Sequence, residues 1–109
     1  IGYYNPIESF RESENVLGCI LATRFSNGDG GNYGHFLACR KLYKENKWCI
    51  IDSLSPGQFN YIERTYEGTL RQIIQQFEND RTLDYVKGKK NASVRVQYAI
   101  IVKIIHVDN

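Results

Sequence analysis

Residues 32–54 read NYGHFLACRKLYKENKWCIIDSL, and this stretch decides the predicted fold of the chain. Two apolar-rich runs, residues 36–43 and 48–51, flank a short polar link at residues 44–47. Runs of β-branched and aromatic residues on either side of such a link are typical of two antiparallel strands. The sequence therefore predicts a β-hairpin at this point.

A histidine and an aspartate occupy the ends of the hairpin that lie away from the link. His35 opens the first predicted strand and Asp52 closes the second. Residues equidistant from a turn become cross-strand neighbours, so we expect the two side chains to meet at one edge of the sheet. Such a pair can orient and charge an imidazole for general acid–base chemistry, or it can be an ordinary ion pair at a hairpin end.

Size and composition fit one globular domain. The chain has 109 residues, of which 42% are hydrophobic and 24% charged, and its net charge is +2. These values predict a single domain over residues 1–109, either an entire domain or the C-terminal part of a larger catalytic one. So small a charge gives no reason to expect nucleic acid, and no apolar run is long enough for a membrane span. With no visible signal peptide, we expect a cytoplasmic protein.

Three cysteines, Cys19, Cys39 and Cys49, stand in strand-like segments. Their odd number indicates small buried thiols in a reducing compartment rather than disulfides. The chain has no Cys-x-x-Cys pair, and its two histidines are far apart in sequence, so we predict no metal site and no cofactor. The glycine-rich residues 26–34 are interpreted as a flexible loop beside His35, because no Lys-Ser or Lys-Thr follows them and a strand comes next.

The other segments complete a mixed α and β order. Residues 5–8 carry the capping pattern of a short helix start. Residues 16–25 predict a strand that is buried on both faces for most of its course, in which Gly18 marks a bulge or a close approach. Residues 82–86 predict a short strand, and residues 94–107 a long one placed centrally in the sheet.

One helix is clearly indicated at residues 69–79. Its apolar residues recur with helical spacing and form one stripe, which indicates core packing. Thr69 and Gln72 have the spacing of a capping box. Ile62 and Tyr66 extend the stripe backwards, which leaves an earlier start open, whereas Gly68 favours a break. The fold class predicted is α+β: an antiparallel β-sheet with one packed helix.

Several of these segments resemble the C-terminal half of a papain-like ubiquitin-specific peptidase. The match in order and spacing consists of VLGCIL at residues 16–21, the glycine-rich loop, Gly34-His35-Phe36 and KWCIID at residues 47–52. An apolar last strand at residues 97–102 follows, as in that family. The helix after Asp52 and the Asp-Ser-Leu that begins there are more similar to the Josephin deubiquitinases, so both relatives stay open.

The resemblance implies a papain-like half-domain that takes part in cleaving ubiquitin or ubiquitin-like conjugates. His35 matches the base that deprotonates a catalytic thiol, and Asp52 matches the carboxylate that fixes its tautomer. Gly34, Tyr33 and Trp48 are expected to contact the substrate, a ubiquitin or ubiquitin-like tail. Phe36 stands where the family usually has tyrosine.

The family's cysteine box, in which the nucleophile opens a helix, is absent from the chain. Cys19 lies mid-strand, Cys49 matches a packing position, and Cys39 is about 13 Å from His35 at the usual rise of a strand. The resemblance therefore implies a nucleophile on a separate segment. Two alternatives are an inactive peptidase-like module that binds ubiquitin or another protein, and an interaction domain derived from a viral polyprotein.

Overall fold

A computed structural model of the chain describes residues 2–4, 16–28, 30–42, 46–52 and 62–103. The short helix predicted at residues 5–8 lies outside them. The described residues form six strands and one helix: β1 (Gly2–Tyr4), β2 (Val16–Ser26), β3 (Asn32–Leu42), β4 (Lys47–Asp52), β5 (Ile62–Glu67), α1 (Leu70–Glu78) and β6 (Ser93–Lys103).

The six strands make one sheet in the order β1-β6-β2-β3-β4-β5. Every neighbouring pair is antiparallel. β6 is paired on both sides, with β1 and β2, as its apolar middle predicted. The α+β class, an antiparallel sheet with one packed helix, is confirmed; the papain-like half-domain stays a prediction.

The hairpin predicted around the polar link is β3 followed by β4, with Ala38 opposite Ile51. β3 begins at Asn32, three residues before the predicted start at His35, because residues 32–34 continue the ladder with β2. The glycine-rich connector is therefore shorter than predicted. Gly28 and Gly30 both have a φ of +84°, a conformation that glycine adopts without steric cost.

Gly18 permits a close approach inside the sheet. A Cβ atom at this position would collide with the carbonyl oxygen of Cys39 on β3. The ladder between β2 and β6 also shifts register between Val16 and Gly18, and again between Ala22 and Thr23. Both interpretations of this glycine, a bulge and a close approach, are confirmed.

Helix α1 is the predicted amphipathic helix. Thr69 is its N-cap: the Thr69 hydroxyl accepts a hydrogen bond from the Gln72 N–H, and the Gln72 side chain accepts one from the Thr69 N–H. The apolar stripe of the helix is buried in the core: Leu70, Ile73, Ile74 and Phe77. Burial of each such side chain contributes roughly 1.5–3 kcal/mol, so the stripe holds the helix to the sheet.

Two segments flanking the helix differ from the sequence interpretation. The backward extension of the stripe is strand β5, which the sequence analysis missed, and Gly68 breaks the chain there with a φ of +123°. The strand predicted at residues 82–86 is wrong, because this segment forms turns in which the N–H of Val86 donates to the carbonyl of Leu83. The side chains of Leu83 and Val86 are buried in the core. Apolar residues in a buried turn therefore produced a sequence pattern like that of a strand.

The sheet has two unlike faces. The covered face carries α1 and includes Leu21, Leu37 and Ile50, all buried. The open face carries no described element and includes Ile20 and Phe36, whose exposed fractions are 39% and 58%. Because side chains alternate along a strand, successive residues within β2, and likewise within β3, belong to opposite faces of the sheet.

Candidate functional site

The hairpin brings His35 and Asp52 together on the covered face. His35 Nε2 lies 3.1 Å from Asp52 Oδ1, and the two side chains are 17% and 13% exposed. The predicted juxtaposition is confirmed, with one difference in register. Continuing the ladder from Ala38 and Ile51 puts Asp52 opposite Leu37, so Asp52 is a diagonal neighbour of His35 rather than a direct one.

A buried threonine holds the backbone at His35. Thr23 lies opposite His35 on β2, and its hydroxyl donates a 2.6 Å hydrogen bond to the His35 carbonyl oxygen. Thr23 is 2% exposed and is the only fully buried polar side chain among the described residues. The sequence analysis missed this residue, because a threonine inside an apolar run has no distinguishing pattern.

An aromatic cluster packs beside the imidazole. The ring of Phe25, which is 1% exposed, has its centroid 6.1 Å from that of His35. Tyr33 and Tyr85 both contact Phe25, at centroid distances of 5.3 Å and 4.2 Å. Phe25 therefore forms an apolar wall beside the imidazole, and the two tyrosine rings pack against Phe25.

The carboxylate selects one tautomer of the imidazole. Asp52 can only accept at Oδ1 when ionised, so neutral His35 carries its proton on Nε2. The lone pair is then on Nδ1, which has no hydrogen-bond partner among the described residues. A neutral imidazole with a free nitrogen lone pair is able to act as a general base.

The three expected substrate contacts lie in different surroundings. Tyr33 is 44% exposed and shares the covered face with His35, so its ring is accessible beside the imidazole. Gly34 pairs with Arg24 and belongs to the open face. Trp48 is 0% exposed, with the Lys41 Nζ 5.6 Å from its ring centroid. Trp48 is therefore a core residue in this structure, not the substrate contact expected from the resemblance, because α1 covers the face it belongs to.

None of the cysteines has the surroundings of an activated nucleophile. Cys19 and Cys39 lie opposite each other on β2 and β3, and all three thiols are buried. A hydrogen bond with Cys19, together with burial, raises the pKa of the Cys39 thiol well above its usual value. Burial also raises the pKa of Cys49. A raised pKa keeps a thiol protonated, whereas nucleophilic cysteines need a lowered one.

A small cavity adjoins the carboxylate. It measures about 30 Å³ and is lined by Asp52, Asp84, Arg64, Tyr85 and three apolar side chains. That volume is enough for one water molecule. The Tyr85 hydroxyl is buried and has no hydrogen-bond partner among the residues described. The cavity therefore offers polar groups next to the orienting acid of the pair.

A polar network closes the covered side near this cavity. Asp80 accepts hydrogen bonds from the Tyr66 hydroxyl at 2.7 Å and from the Thr82 hydroxyl at 2.6 Å. Arg64 Nη1 lies 3.5 Å from the same carboxylate. Burial works against the charge, but the hydrogen bonds from Thr82 and Tyr66 and the nearby guanidinium outweigh it and lower the pKa of Asp80. The network fastens β5 to the turns that follow α1.

Comparisons of the chain with models of known protein families, with curated proteins and with solved structures find no match. The likeness to papain-like peptidases rests on the motif residues quoted above. Within the described part of the chain, no three His, Cys, Asp or Glu side chains form a group that could hold a metal ion. The helix described there is too short and too polar to cross a membrane.

Proposed function

We propose that the chain supplies the base and the orienting carboxylate of a papain-like cysteine peptidase that cleaves ubiquitin or ubiquitin-like conjugates. The observation that carries the proposal is the 3.1 Å contact of His35 Nε2 with Asp52 Oδ1, which leaves Nδ1 as the basic nitrogen. The preference for ubiquitin-like substrates rests on the sequence motif around these two residues.

In this proposal the nucleophile is a cysteine on another segment that docks beside Nδ1. The thiol proton passes to Nδ1, and Asp52 stabilises the imidazolium that forms. The thiolate attacks the scissile carbonyl carbon, and the imidazolium then gives its proton to the leaving amine. Water hydrolyses the resulting thioester with His35 again as base.

Two further observations support this reading. Tyr33, exposed beside the imidazole, offers an aromatic surface to an extended peptide tail. The cysteines are free thiols, which suits a reducing compartment such as the cytoplasm. A thiol nucleophile needs the same reducing conditions.

Cleavage of a fluorogenic ubiquitin substrate, measured on the natural polypeptide that contains this chain, tests the proposal. His35→Ala should abolish turnover, and Asp52→Asn should reduce it by about 10⁴-fold through loss of imidazole orientation. Arg71→Gln, on the exposed side of α1, is the matched control and should retain full activity. Full turnover by His35→Ala would contradict the proposal.

A second measurement examines the orienting role without any nucleophile. Nitrogen-15 NMR of the chain should show His35 as the Nε2–H tautomer when neutral. Asp52→Ala should remove this preference, because the carboxylate that accepts from Nε2–H is lost. An unchanged tautomer in the variant would show that Asp52 does not orient the ring.

A second candidate is an inactive module that binds ubiquitin or another protein through the same surface; the observation behind it is that all three thiols of the chain are buried, so none of them can reach a substrate. This candidate predicts that the chain alone retains ubiquitin on a column and that Tyr33→Ala weakens the binding. It also predicts no reaction of the natural polypeptide with an electrophilic ubiquitin probe. Labelling by the probe would exclude it.

A further inference from the structure

The open face ends in an unusual pair of charges. Arg24 on β2 and Arg95 on β6 lie directly opposite each other, and both are exposed. Like charges in direct cross-strand register repel and lower stability. Neither guanidinium forms an ion pair with an acidic side chain in the part of the chain that the structure describes. An anion between the two would remove the repulsion and gain charge-assisted hydrogen bonds.

Polar side chains complete a cleft around this pair. The cleft has a volume of about 380 Å³ and is lined mainly by Arg24, Arg95, Ser26, Asn32, Ser93 and Gln97. Guanidinium, hydroxyl and amide groups are the donors that bind a phosphate group. The volume falls within the usual range of sites for small ligands. The geometry points to a phosphate-binding cleft, and we propose that its ligand is a nucleoside phosphate.

A second cavity near the first is also lined by basic side chains. It measures about 340 Å³ and is lined by Asn27, Gly28, Lys89, Lys90 and Asn91. Asn27 directly follows Ser26 of the first cleft, so both cavities lie at the same end of the sheet. Among the described residues no acidic side chain lines either one. Further phosphates of a di- or triphosphate would extend toward the two lysines.

The cross-strand residues next to the arginine pair on the open face offer a stacking surface for the base of the nucleotide. Phe36 and Tyr98 flank Ala22 on the two neighbouring strands, two residues along β2 from Arg24. Ala22 itself is only 5% exposed, so a base would stack on the outer side of the exposed Phe36 ring rather than enter between the two rings. These residues are roughly 7 Å from the arginine pair along the strand direction, near the phosphate-to-base reach of a nucleotide. Phe36 is 58% exposed and can stack on a base.

The same chemistry could come from a free nucleotide or from a nucleotide within a single strand. The net charge of +2 is too small to attract a polyanion strongly, so a free nucleotide is the occupant proposed. The site lies on the face opposite His35, and its test requires no peptidase activity. Failure of either proposal therefore leaves the other unaffected.

Isothermal titration calorimetry of the chain with AMP, adenosine, inorganic phosphate and a short single-stranded oligonucleotide tests the cleft. Arg24→Gln and Arg95→Gln should each weaken AMP binding roughly tenfold, the loss expected for one charge-assisted hydrogen bond. Arg40→Gln is the matched control. It lies on the open face about 20 Å from the cleft, beyond the Debye length at physiological salt, and should leave AMP binding unchanged.

Phe36→Leu separates the base from the phosphate. It should weaken AMP binding roughly tenfold while leaving inorganic phosphate unaffected, because only the base loses a stacking partner. No AMP binding by the wild type, or equal losses in Arg24→Gln and Arg40→Gln, would overturn the proposal. If the oligonucleotide binds far more tightly than AMP, and Arg24→Gln weakens that binding, the cleft is a phosphate site but its ligand is single-stranded nucleic acid, and the free-nucleotide proposal is wrong. Neutralising one arginine removes a repulsion, so these variants should melt no earlier than the wild type.

Discussion

The covered and open faces of the sheet are built from the same strands, yet they differ in how their polar groups are satisfied. On the covered face the buried Thr23 is hydrogen-bonded and His35 is paired with Asp52. On the open face Arg24 and Arg95 oppose each other with no acidic partner among the described residues. Thr23 and His35 on the covered face thus find their partners within the chain, whereas the two arginines of the open face have charges that an external ligand would satisfy.

The His35–Asp52 pair lies at the boundary between the buried core and the exposed edge of the covered face. Along β3, Cys39 and Leu37 are 4% and 1% exposed, His35 has 17% of its side chain exposed, and Tyr33 is 44% exposed. The imidazole is thus shielded on its inner side and reachable from the edge. A residue at such a boundary can be oriented by packing and still meet a second group, which a wholly buried or wholly exposed histidine could not do.

The largest expected effect separates the two faces by their contribution to stability. Phe77→Ala, at 1% exposure on the covered side, should lower the free energy of unfolding by about 3–5 kcal/mol. Phe36→Ala on the open face should change it by only about 1 kcal/mol, because more than half of this side chain is already exposed to water. Chemical denaturation measures both.

Two more conservative substitutions, one on each face, make the same comparison if Phe77→Ala does not fold. Ile73→Val, at 0% exposure, should cost about 1 kcal/mol, and Ile20→Val, at 39% exposure, less than half of that. Equal costs for the two valine variants would show that the open face is also buried in solution, and the distinction between the faces would fail.

An intermediate effect concerns the network that fastens the covered side. Asp80→Asn should lower stability by about 1–2 kcal/mol at neutral pH, since the hydrogen bonds to a charged acceptor are lost. The folded state lowers the pKa of Asp80, so the wild-type advantage is complete above the ordinary aspartate pKa of about 3.9.

This advantage should shrink as the pH falls through the lower folded pKa, where the carboxylate takes up a proton. Thermal melts of both proteins between acid and neutral pH would reveal it. A difference in stability that stays constant over this range would contradict the role of the Asp80 charge.

The smallest expected effect belongs to the open face. Arg24→Gln without ligand should raise stability by about 0.2–1 kcal/mol, because it removes one of two directly opposed charges. Added salt should reduce the gain by screening the repulsion in the wild type. A loss of stability in Arg24→Gln would mean that the guanidinium has a stabilising partner in solution, and the open face would then resemble the covered one.

The sequence predicted most of the fold because hydrophobic periodicity is local. The strands β2, β3, β4 and β6 and the helix with its Thr69–Gln72 capping box could all be identified from neighbouring residues. β5 could not, since Ile62 and Tyr66 fit a helical stripe as well as a strand. The strand expected at residues 82–86 failed because Leu83 and Val86 are buried by tertiary packing of a turn.

The sequence by itself determined that an imidazole and a carboxylate meet, because a hairpin has few ways to arrange its two ends. Only the structure decided their diagonal register, which depends on how the two strands of the hairpin are paired. The Thr23 hydrogen bond and the burial of Trp48 depend on elements outside the hairpin. The opposition of Arg24 and Arg95 is of the same kind. These residues are seventy-one positions apart in sequence, and only the pairing of β2 with β6 makes them neighbours.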